Sequence, residues 1–154
     1  MKSITAFRSA SVLLFVFCLM HTGGGMLAQK SLGPASDTVF EAMKSVHFKF
    51  NGADSTWYGF WFGFGLTTSI FLLLSSIVAW QFERIPSELW PSLQVIAWAF
   101  VASHVANTVL AWKYFFAGPG VFGILISVLL AIGTLRKARN AAERRVVSPA
   151  VPHA

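Results

Sequence analysis

The chain has 154 residues, 55% of them hydrophobic and only 12% charged, with a formal net charge of +6. A soluble domain carries about a quarter charged residues, so too few charges are present to cover a water-facing surface, and the composition excludes an ordinary soluble domain. The positive excess sits mainly at the chain ends rather than on one folded face, which excludes a nucleic-acid-binding module.

Four stretches, at 10–28, 57–80, 91–111 and 119–135, contain no Asp, Glu, Lys or Arg. A helix rising ~1.5 Å per residue needs about 20 residues to cross a ~30 Å hydrocarbon layer, and each stretch reaches or approaches that length. The first is ambiguous with a signal peptide, because Lys2 and Arg8 form a basic start before an apolar core. Met26-Leu27-Ala28 is a poor cleavage site, since Met is bulky where a small residue is wanted. The apolar character also runs on past His21, so a retained span is expected. Gly23-Gly24-Gly25 is expected to loosen its far end. The single Cys18 cannot form an internal disulfide and reads as a small hydrophobe.

Residues 29–56 form the longest hydrophilic segment. Thr38 and Glu41 fit a capping box, and Val39, Met43 and Val46 recur at helical spacing. This predicts a short amphipathic helix over 37–46, lying on the outer surface. His47-Phe48-Lys49-Phe50 alternates polar and apolar, and Asn51-Gly52 is a turn signal. His47, near Lys49 and Asp54, reads as an ordinary polar surface residue, and His153 carries no more weight.

The second stretch opens on Trp57 and Tyr58 and closes on Trp80, as headgroup-level aromatics do. Gly59 and Gly63, four apart, predict a flat groove on one helix face, with Gly65 close by. Helix packing is its ordinary use, and a groove for a lipid or ring the functional one. A short loop with a break at Pro86 leads to the third stretch, which contains His104, Asn107 and Thr108. A turn at 113–120 leads to the fourth, which contains Ser127. Arg136, Lys137, Arg139, Arg144 and Arg145 then continue the last helix, as cations suited to its C-terminus and to anionic lipid headgroups. Residues 146–154, with Pro149 and Pro152, are expected to be disordered. No internal repeat is visible, so an inverted-repeat transporter is not supported.

Positive charge near spans sets orientation. With the N-terminus cytoplasmic, eight of the twelve Lys and Arg fall on the inside. Both termini are therefore expected inside, in a bacterial cytoplasmic (inner) membrane. The expected fold is all-α: a four-helix transmembrane bundle, one domain over 1–145.

From residue 10 to His21 is ~16 Å of helical rise, and from 92 to His104 ~18 Å. The two imidazoles thus fall at similar depth. With Thr67, Thr68, Asn107, Thr108 and Ser127 they form a candidate polar layer. The structural use of such a layer is hydrogen bonding between helices. The functional alternative is haem or a metal held by His21 and His104. No third His or Cys is placed for zinc, and no carboxylate lies in any span to support a proton pump. No metal site or cofactor is expected.

The run Met43-Lys44-Ser45-Val46-His47-Phe48-Lys49-Phe50-Asn51-Gly52, then Ser55-Thr56-Trp57-Tyr58 and Gly63-Phe64-Gly65-Leu66, is similar to small bacterial four-span membrane proteins. Their second span also follows an extended outer loop with an aromatic entry. Val109-Leu110-Ala111-Trp112-Lys113-Tyr114-Phe115-Phe116 resembles their third-span exit. The resemblance covers residues 43–120, implies a four-helix inner-membrane bundle, and brings no activity with it.

No catalytic motif is legible. The leading expectation is a non-enzymatic structural or accessory membrane component acting through helix–helix or lipid contacts. Its partners would be the bilayer, with anionic lipids on the cytoplasmic side, and another membrane protein or a second copy. The alternatives are a redox or cofactor-binding protein using the two histidines, and a carrier of a small hydrophobic molecule. The carrier would show a lipid-accessible cavity on the glycine face.

Overall fold

Helix α1, Ala6–Leu19, starts where Thr5 accepts from the Arg8 and Ser9 amides, and it continues without a break as a π-helix over Met20–Leu27. This is the structure's answer to the three glycines. They widen the helix to i→i+5 bonding, as in Ala28 N–H to the Gly23 carbonyl at 2.9 Å, rather than fraying it. The structure, a computed structural model, describes residues 5–28 and 30–147. The expected tail is therefore outside the described residues beyond 147, while 146 and 147 are the last residues of a helix.

Helix α2 spans Pro34–Ser45 and begins a turn earlier than Thr38 and Glu41 imply. Pro34 supplies a preset φ in the first turn. Asp37, not Glu41, reaches back, accepting from the Ser31 hydroxyl at 2.6 Å and the Leu32 amide at 3.3 Å. Thr38 donates to the Pro34 carbonyl, and Glu41 pairs with Lys44.

The alternation at 47–50 folds as a hairpin that the helical reading did not include. Strands β1, His47–Phe50, and β2, Ala53–Thr56, pair antiparallel with His47 opposite Thr56 and Lys49 opposite Asp54. Asn51 and Gly52 both take positive φ, 51° and 85°, as a type I′ turn demands. Helix α3, Trp57–Arg84, follows directly, its Gly59 amide capped by the Thr56 hydroxyl at 3.0 Å. Helices α4, Trp90–Tyr114, and α5, Ala117–Val147, complete the chain. The apolar 119–135 and the basic 136–145 segments are one continuous helix. Four helical segments, Ala6–Leu27, Trp57–Arg84, Trp90–Tyr114 and Ala117–Val146, are long and apolar enough to cross a membrane.

Contacts divide the chain into two units, Met1–Leu14 with Ser75–Ala154, and Phe15–Leu74. In the first unit, α4 and α5 pack antiparallel through small residues. A Cβ on Gly123 would stand 2.5 Å from the Thr108 hydroxyl, and one on Gly120 2.6 Å from the Trp112 ring. The core holds Phe7, Leu14, Trp90, Ile126 and Leu130, all essentially inaccessible. Phe7, Phe82 and Trp90 lie 5.6–5.8 Å apart, tilted or edge-on. Ser11 and Ser76 each donate to the other's carbonyl, at 2.8 and 3.0 Å. Lys137 closes the end of α3 by donating to the Glu83 and Ile85 carbonyls, both at 2.8 Å, satisfying orphan acceptors there.

In the second unit, aromatic contacts fasten α2 and the hairpin to α3. Phe48 lies 4.8 Å from Trp57, Phe50 5.5 Å from Phe60, and Phe40 edge-on to Trp61 at 5.5 Å. Lys44 sits over the Tyr58 ring.

Candidate functional site

Of the residues expected to form a polar layer, His21, Thr67 and Thr68 belong to the second unit and His104, Asn107, Thr108 and Ser127 to the first. In the second unit His21, on the π-helix, places Nε2 3.0 Å from the Gly65 carbonyl. A carbonyl only accepts, so Nε2 carries the proton. Cys18 donates to the Ser69 carbonyl at 3.3 Å, and Thr22 reaches both the Cys18 carbonyl and the Ser69 hydroxyl at 2.8 Å. Gly65 is closely packed here, because a Cβ would overlap the Met26 thioether and that side chain would have to shift. This cluster joins two helical segments by side chain to backbone bonds, the usual work of small and polar residues in apolar surroundings.

In the first unit His104 is buried, its ring edge-on to Phe100 at 4.8 Å. Thr108 donates to the His104 carbonyl at 2.7 Å and lies 3.3 Å from the Ser127 hydroxyl. Asn107 does not share that buried face: it is exposed and donates to the Ser103 carbonyl at 3.1 Å. Three and four residues from His104 are neighbouring positions, but a narrow contact with α5 divides them. Thr67 and Thr68 are exposed and bond the Gly63 and Phe64 carbonyls of their own helix. Among the described residues no three His, Cys, Asp or Glu side chains are grouped to hold a metal.

The three glycines of α3 meet different surroundings. Gly65 is packed on Met26, and Gly59 lies against the Thr56 hydroxyl that caps its amide. Gly63 is open, with nothing within 4 Å of where a Cβ would stand. Around it lies an open groove of ≈ 550 Å³, lined by Gly59, Phe60, Gly63, Phe64 and Thr67 of α3 and by His47, Asp54, Ser55 and Thr56 of the hairpin. One end is apolar, and Phe64 is 69% exposed. The other end is polar, where His47 Nδ1 and Asp54 Oδ2 stand 3.0 Å apart.

The His47–Asp54 pair is what sequence reading missed. The two residues are seven apart, and along the chain they read only as neighbouring polar surface residues. The signal was Asn51-Gly52: a type I′ hairpin about that turn brings 47 and 54 to diagonal positions on one sheet face.

The basic residues after 135 divide as well. Lys137 is half-buried on the end of α3. Arg144 pairs with Glu88 at 2.8 Å, and Arg139 with Glu143 at 3.2 Å. Arg136 and Arg145 are exposed and make no ion pair among the described residues. Glu88 is held below the ordinary carboxylate range chiefly by a hydrogen bond to its own backbone; desolvation is the next effect and opposes this, and Arg144 adds to the lowering.

Comparison with known protein families, with characterised proteins and with solved structures finds no match for this chain.

Proposed function

We propose that the protein is a small four-span component of a bacterial cytoplasmic membrane, with both termini cytoplasmic. On this reading it acts by contact rather than catalysis, holding one small hydrophobic molecule against α3. The observation that carries it is the open groove at Gly63, with apolar rings along one end and a polar pair at the other. A packing glycine used inside the chain would be covered, as Gly65 is. The groove's volume lies within the ~300–1,000 Å³ of small-ligand sites. Its residues fall on the outer side under the charge distribution, which places Trp57 at the headgroup level and Thr67 ~15 Å deeper. The resemblance to small bacterial four-span proteins agrees with that setting. The amphipathic α2 would lie at the same outer surface, and Arg136 and Arg145 would face anionic lipid on the inner one.

The test is titration of 1-bromododecane, a quencher, into the protein in nanodiscs while Trp fluorescence is followed. Saturable quenching that Gly63→Leu removes is expected, because Trp57 lies against Phe60, which lines the groove. A Cβ at 63 meets nothing within 4 Å, so a side chain added there grows into the groove instead of into a packed contact. Quenching that rises linearly and ignores the substitution would refute the reading. Reporter fusions to the C-terminus test orientation: cytoplasmic fluorescent protein should glow, and alkaline phosphatase should be inactive.

A further inference from the structure

The polar end of the groove specifies more than an apolar guest. A carboxylate can only accept, so the 3.0 Å contact between Asp54 and His47 puts an imidazole proton on Nδ1. Nε2 then carries a lone pair while His47 is neutral, and it makes no hydrogen bond among the described residues. It is an acceptor held in orientation by the carboxylate behind it. The pair is largely exposed, so a guest seated in the groove meets this acceptor best with a donor, an O–H or N–H, that takes the place of water there.

The apolar end narrows the choice. Gly59 and Gly63 leave a strip of bare helix backbone, and Phe60 and Phe64 border it with rings inclined by only 30°. A flat ring lies on such a strip more closely than a branched chain does, and it gains aromatic contact with both phenylalanines. We infer that the groove binds an amphiphile with a hydroxyl-bearing aromatic head, its hydroxyl donating to His47 Nε2 and its apolar tail running along α3 past Gly63. This deepens the groove reading and rests on it.

The probes are 4-nonylphenol and its O-methyl ether, which differ in the one donor hydrogen. Both are titrated into the full-length protein in nanodiscs and read by Trp quenching in competition with 1-bromododecane. The phenol is expected to displace the bromoalkane at about tenfold lower concentration than the ether, the effect of one hydrogen bond to an oriented group. In His47→Ala the bromoalkane should still bind while the phenol preference falls below about twofold. His47→Gln, whose amide oxygen also accepts, should recover part of the preference. If His47→Ala loses all binding, His47→Gln decides: a retained preference supports the assignment, and its absence overturns it.

Equal displacement by phenol and ether in the native protein overturns the hydroxyl assignment while leaving the groove reading intact. No saturable binding of any probe overturns both. Self-association in detergent that Gly63→Leu abolishes, with no phenol binding, would put a second copy in the groove and overturn it too.

Discussion

Gly63 and Gly65 stand two residues apart on α3, and the structure gives opposite signs to the same substitution at each. Ala in place of Gly in a helix gains about 0.5–1 kcal/mol from backbone entropy. At Gly63 that gain is unopposed, since an added Cβ meets nothing within 4 Å. At Gly65 the Cβ would overlap Met26, a buried side chain on the π-helix. Forcing a methyl into a packed contact costs about 1–3 kcal/mol. It also pushes against the segment that carries the His21 bond to the Gly65 carbonyl. Gly63→Ala should therefore be stabilising by up to about 1 kcal/mol, and Gly65→Ala neutral to destabilising by about 2. The difference between the variants cancels the propensity gain and isolates the steric cost, about 1–3 kcal/mol. The assay is reversible unfolding by SDS in mixed micelles, followed by far-ultraviolet circular dichroism. Equal stability of the two variants, or Gly65→Ala the more stable, would refute the packing assigned to these glycines.

Four further outcomes are expected. Thr134 is fully buried and its hydroxyl has no partner among the described residues, so the isosteric Thr134→Val should stabilise by about 1 kcal/mol. Thr108→Val, which loses the bond to the His104 carbonyl, should cost a similar amount; the same unfolding assay checks both. Lys137→Met leaves the Glu83 and Ile85 carbonyls without their charged donor and should cost about 1.5–3 kcal/mol, visible also as faster amide exchange over residues 80–85. The Glu88–Arg144 pair should be intact at neutral pH: a depressed carboxylate contributes fully above its ordinary pKa of 4.5 and loses that contribution as pH falls through its lowered folded value. Amide exchange at residues 85–89 should therefore rise at acid pH in the native protein and be pH-insensitive, after correction for intrinsic rates, in Glu88→Gln.

Much of the fold was legible. The long helices follow the charge-free stretches to within a few residues at most ends, because a missing charge over twenty positions is a one-dimensional signal. Pro86 and Asn51-Gly52 mark a helix end and a turn for equally local reasons. The start of α2 was read a turn late, because Asp37 and Pro34 compete with Thr38 and Glu41 for the same capping role and only the folded loop shows which succeeds. The hairpin at 47–56 showed only as an alternation at 47–50 and a turn signal at 51–52, since two four-residue strands carry little pattern of their own.

The sequence by itself determined which segments are apolar helices and which residues could carry polar chemistry within them. Tertiary structure alone decided the facing: that Asn107 is exposed where Thr108 is buried, that Lys137 caps a helix, and that Gly63 lies open while Gly65 is closed by Met26. The reason is rotational. A helix that is apolar around most of its circumference has little amphipathic stripe to reveal its orientation, and the rotation is set by where small residues and hydroxyls of two segments meet. The His47–Asp54 pair depends on the same kind of information, a diagonal across a hairpin that exists only once the strands have paired.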